Sequence, residues 1–275
     1  MKNPKTMNNN ETSKTIKNVS VWDLVPHFTN GNIKVGNMLT WNKLAGAGYL
    51  LGVLGSCGEF CKGGCYDCKN PMKSPCYVFK SYAQYGASVI DSHTINTLWM
   101  RYKMAQTFTI LNKQLKKMKK SKPIRIHASG EFESAEEVKG WFRLAELNPS
   151  FPFYVYTKAY KYVDEAMEDW MKLHGKNIPD NFYINVSIWH ESGVEFYHKW
   201  EHVDNIKAFV YNDGYDYAGK LEMKCNCPAY KKETKVDKKG NVKERVVLKH
   251  DLTCDRCKLC FINNKGAKVI SCLDH

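Results

Sequence analysis

The sequence has no run of about 18 apolar residues, which is the length that a membrane-spanning helix needs. Residues 1–20 are polar and lack the apolar segment of a secretory signal. We therefore expect a cytoplasmic protein that does not enter a membrane, in a compartment where thiols stay reduced. The G-x4-G-K-S/T, G-x-S-x-G and H-E-x-x-H motifs are also absent, so the sequence gives no support for P-loop nucleotide hydrolysis, serine hydrolysis or zincin chemistry.

Acidic residues are scarce relative to basic ones. The 275 residues include 28 Asp and Glu against 41 Lys and Arg, which gives a formal net charge of +13. A basic surface of this kind is compatible with contact to nucleic acid or to another protein. Much of the excess lies in the lysine-rich segments 113–122 and 231–243, which we interpret as a solvated helix end and an exposed hairpin.

Cysteine, by contrast, is abundant, with 11 residues that fall mostly into two groups. The first group directly follows the apolar run 49–54 and has the spacing Cys57-x3-Cys61-x3-Cys65-x2-Cys68. The second group combines an upstream Cys-Pro with a tight triplet, Cys227-Pro228 and Cys254-x2-Cys257-x2-Cys260. In a reducing compartment, and in a chain long enough to build a core, such groups indicate metal ligands rather than disulfides.

Two metals compete for these thiolates. The first group packs four cysteines and several glycines into 12 residues. This favours a [4Fe–4S] cluster, because structural zinc sites usually pair two separated C-x2-C knuckles. Three ligands would leave one iron open to a substrate and four would close the cluster, and the spacing alone allows both. At the second group, a [4Fe–4S] cluster and a four-cysteine zinc site are both compatible with Cys227, Cys254, Cys257 and Cys260. We interpret Cys76, Cys225 and Cys272 as thiols without a ligand role.

Apolar patterns along the chain alternate between strands and helices. We expect strands at 48–55, 124–128, 151–157, 182–188 and 206–211. Helical spacing predicts one long helix from Ile95 to Lys120, a second after the capping box Ser134-x-x-Glu137, and a third that ends at Gly175. This alternation is typical of parallel βαβ units.

The predicted fold class is therefore α/β, as a partial (β/α) barrel with a small C-terminal cysteine-rich metal-binding extension. Residues 1–20 are expected to form a disordered tail, 21–215 the barrel with the first cysteine loop, and 216–275 the region of the second group. Functional residues in such sheets lie at the carboxyl ends of the strands. The first cysteine loop, Gly130-Glu131 and Ser187 all follow or end predicted strands, so we expect them to meet at one edge.

The order of a strand, a C-x3-C-x2-C loop, a helix and a strand that ends in Ser129-Gly130-Glu131 resembles the radical S-adenosylmethionine (SAM) superfamily. This resemblance implies a radical-SAM-like barrel in which Cys61, Cys65 and Cys68 hold a [4Fe–4S] cluster. SAM would bind the open iron, with Gly130 and Glu131 at its amino group and Ser187 at its ribose. The implied activity is the generation of a 5′-deoxyadenosyl radical that abstracts hydrogen from a substrate.

The chain is also similar, over roughly residues 35–275, to the phage gene product 88 family, whose function is unassigned. The segments that carry this similarity are Cys57, Cys61, Cys65-Tyr66, Arg125–Phe132, Tyr156-Thr157, Val186-Ser187, Cys227-Pro228, Cys254-x2-Cys257-x2-Cys260 and His275. This pattern selects Cys57, Cys61 and Cys65 as the cluster-binding triplet. The radical SAM pattern instead begins one cysteine later, at Cys61. It implies a phage protein in the host cytoplasm.

Three functions follow from these observations. The first is an iron–sulfur protein that acts as a radical SAM-type enzyme. The second is a non-catalytic binding protein, stabilised by iron–sulfur or zinc, whose basic surface contacts nucleic acid or a host protein. The third is an electron-transfer module with two closed clusters. The sequence identifies no catalytic residue and no substrate.

Overall fold

The computed structural model describes residues 20–31, 35–50, 52–60, 76–188, 191–211, 221, 225–228, 230–236, 242–248, 252–262 and 268–272. The strands, in chain order, are β1 (Thr29–Asn30), β2 (Leu39–Trp41), β3 (Tyr49–Leu50), β4 (Val53–Leu54), β5 (Ile124–Ile126), β6 (Phe153–Thr157), β7 (Phe182–Ile188), β8 (Ile206–Tyr211), β9 (Cys225–Asn226), β10 (Tyr230–Val236), β11 (Val242–Leu248) and β12 (Val269–Cys272). The helices are α1 (Tyr77–Tyr85), α2 (Ala87–Tyr102), α3 (Met104–Lys116), α4 (Ala135–Glu146), α5 (Tyr160–His174), α6 (Glu191–Trp200) and the single turn α7 (Cys254–Cys257).

An eight-stranded sheet forms the centre of the protein, with the order β1-β2-β5-β6-β7-β8-β12-β9. Only β1 is antiparallel to its neighbour, so seven strands run parallel. Strands β2, β5, β6, β7 and β8 lie side by side in the order in which they occur in the chain, which places their carboxyl ends at one edge. The predicted mixed α/β class is confirmed. Among the described strands the sheet is open, because no pairing joins β1 to β9.

The apolar run before the first cysteine group does not supply the first parallel strand. The strand predicted at 48–55 is instead a two-stranded hairpin of β3 and β4 outside the main sheet, which turns through Gly52 at φ +77°. Tyr49 and Leu54 are 72% and 40% exposed, so this apolar run is not buried on both faces as a central strand would be. The first parallel strand is β2, a three-residue segment whose Trp41 is fully buried.

The single long helix predicted from Ile95 to Lys120 is also wrong. The helix begins earlier, at Ala87, and divides at Lys103, which ends α2 and begins α3 at φ −140° and ψ 44°. The Lys103 ammonium lies 4.3 Å from the ring centroid of Trp22 and 4.9 Å from that of Trp99. These cation–π contacts accompany the break, which the apolar spacing does not encode.

One face of the sheet, the helix face, packs against α3, α4, α5 and α6. The core here is rich in aromatic rings in edge-to-face contact, with Trp141 5.7 Å from Trp41 and Phe142 4.9 Å from Phe182. Helix α4 begins as predicted, because Ser134 Oγ accepts the Glu137 N–H at 3.2 Å. Full burial of each large apolar side chain contributes about 1.5–3 kcal/mol, so this layer holds the sheet and helices together.

The opposite face, the loop face, is covered by the C-terminal segment 252–262. Tyr154 stacks on Phe261 at 4.9 Å, and Tyr156 contacts Phe209 edge-on at 4.8 Å. Strands β9 and β12, which also come from the region after residue 215, extend the main sheet beside β8. The region that carries the second cysteine group therefore shares the sheet and the core of the rest of the protein.

The hairpin predicted in the lysine-rich segment 231–243 is confirmed and is longer than expected. Strands β10 and β11 pair in antiparallel register from Tyr230↔Leu248 to Val236↔Val242. Residues 237–241 between these strands and the predicted tail, apart from Ser20, lie outside the described residues. No helix among the described residues combines the length and the apolar composition that crossing a membrane requires.

Candidate functional site

The carboxyl ends of β2 and β5 are joined by a set of short polar contacts. The Lys43 N–H donates to the Ser129 carbonyl at 2.9 Å, and Ser129 Oγ donates back to the Lys43 carbonyl at 2.9 Å. Gly130 follows at φ +87°, a conformation that favours glycine. A Cβ at this position would lie 2.6 Å from Ser56 Oγ and 2.7 Å from Lys43 Cβ. Only glycine therefore lets the turn after β5 approach the segment that leads to the first cysteine group.

Glu131 is buried at this edge and joins three segments. Its Oε1 accepts hydrogen bonds from Thr157 Oγ1 at 2.7 Å and from the Phe132 N–H at 3.0 Å, while Oε2 accepts the Lys158 N–H at 2.8 Å. Its own N–H donates to Ser56 Oγ at 3.1 Å. Glu131 thus fixes the end of β5 to the end of β6 and to the residue that precedes Cys57.

Cys57 lies next to Glu131. Its Sγ accepts the Gly46 N–H at 3.2 Å. Burial raises the pKa of the Cys57 thiol to about 11, and the neighbouring Glu131 carboxylate and Cys76 thiol also act to raise it. Cys76 packs against the same apolar cluster as Cys57, so the two ends of the segment between them meet at the sheet edge. Cys61, Cys65 and Cys68 lie outside the described residues.

Ser187 lies near the carboxyl end of β7, on the loop face. It is buried, and its carbonyl accepts a hydrogen bond from the Tyr160 hydroxyl. No hydrogen bond in the described part of the chain links the Ser187 hydroxyl to Glu131. The structure therefore brings together Cys57, Gly130 and Glu131, and places Ser187 further along the same edge.

Beside this edge lies a buried charged network that the sequence did not indicate as a site. Lys43 is fully buried, and its ammonium lies 2.7 Å from Glu137 Oε2 and 3.1 Å from Glu133 Oε2. Arg101 pairs with Glu133 at 2.6 Å. His127 Nε2 lies 3.3 Å from Glu137 Oε1 without meeting hydrogen-bond geometry. Burial raises the pKa of Glu137, but the Lys43 charge and His127 outweigh this effect and lower it to about 2. The network therefore anchors the segment 127–133 to helix α4.

The second cysteine group lies on the loop face. Burial raises the pKa of Cys260 to about 12, a hydrogen bond from Tyr156 opposes this rise, and Cys227, Cys254 and Cys257 add to it. All three thiols are thus near enough to Cys260 to act on it electrostatically, although Cys227 is far from the triplet in sequence. No disulfide joins any of the cysteines whose side chains are described.

Two side chains of the sheet hold the backbone around Cys260. Lys207 is buried, and its Nζ donates to the Leu259 carbonyl at 2.6 Å and to the Ile262 carbonyl at 2.9 Å. Asn185 Nδ2 donates to the Cys260 carbonyl at 3.1 Å. The carbonyls that flank the cysteine are thereby fixed to β7 and β8.

The donor set at the second group suits a thiolate-bound metal, because four cysteines satisfy either a zinc ion or a [4Fe–4S] cluster. In the arrangement described, no three His, Cys, Asp or Glu side chains among the described residues are positioned to hold a metal ion. Binding would therefore draw the four sulfurs inward from their present positions.

The fold and these residues define a mixed α/β protein with a mostly parallel sheet, with Cys57 at its carboxyl edge and the second cysteine group on its loop face. A family model described as Gene product 88 matches residues 10–263. The chain therefore belongs to the phage gene product 88 family, and the resemblance to that family is confirmed. No curated protein and no solved structure matches the chain. The comparisons give no support to the resemblance to the radical SAM superfamily.

Proposed function

We propose that this protein binds a [4Fe–4S] cluster at the carboxyl edge of its sheet and acts as a radical SAM-type enzyme. The observation that supports the proposal is the position of Cys57 beside Glu131, where the loop after the first parallel strand meets the turn after the second. The side-by-side order of β2, β5, β6, β7 and β8 is also compatible with the partial (β/α) barrel that we propose. A cluster held by three cysteines would supply the electron that cleaves SAM.

Glu131 has the acceptor capacity that this role requires. An ionised carboxylate offers about four acceptor positions, and the part of the chain that the structure describes uses three of them. One position on Oε2 is left for the amino group of SAM. Gly130 keeps the backbone close to Lys43 and Ser56, and Ser187 is the proposed contact to the ribose. These roles are proposals that follow from position at the edge.

Anaerobic reconstitution of the full chain with iron and sulfide, followed by EPR of the reduced protein, tests the proposal. We expect the spectrum to change when SAM is added, and Glu131→Gln to weaken that change. Glu136→Gln is the matched control, because Glu136 is an exposed acid on α4. An EPR spectrum that does not change when SAM is added would reject the proposed radical SAM-type activity. Replacement of Cys57 or of Cys68 by serine then distinguishes the two possible triplets, since only one of them should be needed.

A second candidate is a non-catalytic, metal-stabilised protein or an electron-transfer module. It is favoured by the bonds that already hold Glu131 within the chain, because these give the residue a structural role without any ligand. Iron–sulfur or zinc would then bind at Cys227, Cys254, Cys257 and Cys260, and the basic surface would contact nucleic acid or a host protein in the host cytoplasm. Metal analysis that finds only zinc would support the metal-stabilised binding protein and would rule out both the electron-transfer module and the radical SAM-type enzyme, because zinc carries no electron. Nucleic-acid affinity should then fall steeply with salt, and absence of binding at low salt would end that role.

A further inference from the structure

Arg125 is the central residue of β5 and projects toward the loop face. Its guanidinium carbon lies 5.0 Å from the ring centroid of Tyr156. Its Nε is buried and makes no hydrogen bond, and no carboxylate among the described residues forms an ion pair with it. Part of this guanidinium is thus shielded from water without a carboxylate partner among the described residues, an arrangement that a nearby negative charge would stabilise.

The groups around Arg125 show where that charge can arise. Those that act on it electrostatically are Tyr77, Tyr154, Tyr156 and Cys254. The three phenols are neutral near pH 7, because an ordinary tyrosine has a pKa of about 10. Cys254 is different, because a cysteine that binds a metal is a thiolate. Metal binding would therefore place a negative charge at Cys254, the one of these four described neighbours that becomes charged when a metal binds.

A second path connects Arg125 to the cysteines. The ring of Tyr156 lies under the guanidinium, and its hydroxyl donates a hydrogen bond to Cys260. A cation over the ring face withdraws electron density and makes the phenolic O–H a stronger donor. Hydrogen bonds to ligating sulfurs stabilise the thiolate and, in iron–sulfur centres, raise the reduction potential. Arg125 can thus act on Cys254 through space and on Cys260 through Tyr156.

We propose that Arg125 is the counter-charge of a thiolate-bound metal at Cys227, Cys254, Cys257 and Cys260, and that Tyr156 relays its effect to Cys260. This inference rests on the proposed metal centre at the second cysteine group. It assigns a function to a strand residue that contacts no metal itself. It is a positioning residue that sets how firmly the metal is held and, with an iron–sulfur cluster, how readily the cluster is reduced.

The test uses the full chain with Cys61 and Cys65 replaced by serine, so that the second group is the reporter. In this background we compare Arg125→Met, Arg125→Lys and Tyr156→Phe by the rate at which EDTA removes the bound metal. Arg125→Met should speed release about tenfold, the size of effect that loss of an outer partner has at metal sites. Arg125→Lys keeps the charge and should restore most of the retention. Tyr156→Phe should speed release about threefold, because it removes one hydrogen bond to sulfur.

Arg143→Met is the matched control, since Arg143 is an exposed arginine on α4 and should leave release unchanged. If the metal is an iron–sulfur cluster, Arg125→Met should also lower its midpoint potential, because a positive charge that favours the added electron is gone. Release as slow in Arg125→Met as in Arg143→Met would overturn the role of Arg125 while leaving the metal centre intact. A parent protein that binds no metal would instead overturn the centre itself. If Arg125→Met does not fold, the other two variants still test the proposal. Metal release should be faster in Tyr156→Phe than in Arg125→Lys, and the reverse order would contradict the proposal.

Discussion

Substitution of Gly130 by alanine separates two causes of destabilisation at the sheet edge. The backbone at Gly130 has φ +87°, where a side chain costs about 1–2 kcal/mol. The new methyl group would also lie 2.6 Å from Ser56 Oγ, 2.7 Å from Lys43 Cβ and 3.0 Å from the Lys43 carbonyl. Overpacking of this kind destabilises the fold by about 1–3 kcal/mol more. We expect a total loss of about 2–5 kcal/mol in the free energy of unfolding.

Gly175→Ala isolates the conformational part of this loss. Gly175 ends α5 at φ +62°, and a methyl group there meets nothing within 4 Å. Urea unfolding of the wild type and both variants gives the midpoint and the slope, and an unchanged slope shows that only stability has changed. Gly175→Ala should lose only about 1–2 kcal/mol. Equal losses in the two variants would refute the argument that close packing against Lys43 and Ser56 requires glycine at residue 130.

Three further predictions concern the buried charges and the second cysteine group. The folded-state pKa of Glu137 is about 2, below its ordinary value of 4.5, so its stabilising effect is present above pH 4.5 and should be lost as pH falls toward 2. Glu137→Gln should abolish that part of the pH dependence of urea unfolding and cost about 3 kcal/mol at pH 7, because it leaves the Lys43 ammonium buried with a weakened partner. Lys207→Met should cost about 2–3 kcal/mol in the same assay through the loss of two charged hydrogen bonds to backbone carbonyls, and an unchanged midpoint would contradict their importance. Cys227→Ser should lower the metal content after reconstitution while Cys225→Ser should not, and equal metal content in the two variants would exclude Cys227 as a ligand.

The longer elements were predictable from sequence because their signals are local. Phe182–Ile188 is a continuous apolar and β-branched run, and it forms the central strand β7. Ser134 and Glu137, which lie three residues apart, form a capping box that predicts the start of α4. Leu39–Trp41 and Val269–Cys272 were missed because three or four residues carry no periodicity, and their pairing depends on distant partners. The apolar run at 48–55 was misleading for the opposite reason, since hydrophobicity alone does not separate a central strand from a partly exposed hairpin.

The candidate site was predictable only in part. The position of Glu131 after a strand and a glycine indicated the sheet edge, because such edges collect the ends of parallel strands. The ion pair of Lys43 with Glu137 joins residues 94 positions apart, and no local pattern connects them. Arg125 looked like an ordinary charged residue within a strand. Its proposed role depends on the packing of the segment 252–262 over the loop face, which only the three-dimensional structure shows.

The strand order has a consequence for the sequence of events in assembly. Among the described strands, β9 pairs only with β12, and β12 in turn pairs with β8. During synthesis from the amino terminus, residues 225–226 therefore emerge well before the strand that will receive them. Until β12 docks, the strand that precedes Cys227 lacks the pairing that positions it, and a stop before residue 269 would remove that pairing. We therefore expect closure of the second cysteine group to be a late step, so that any metal it binds would report that β12 has joined the sheet.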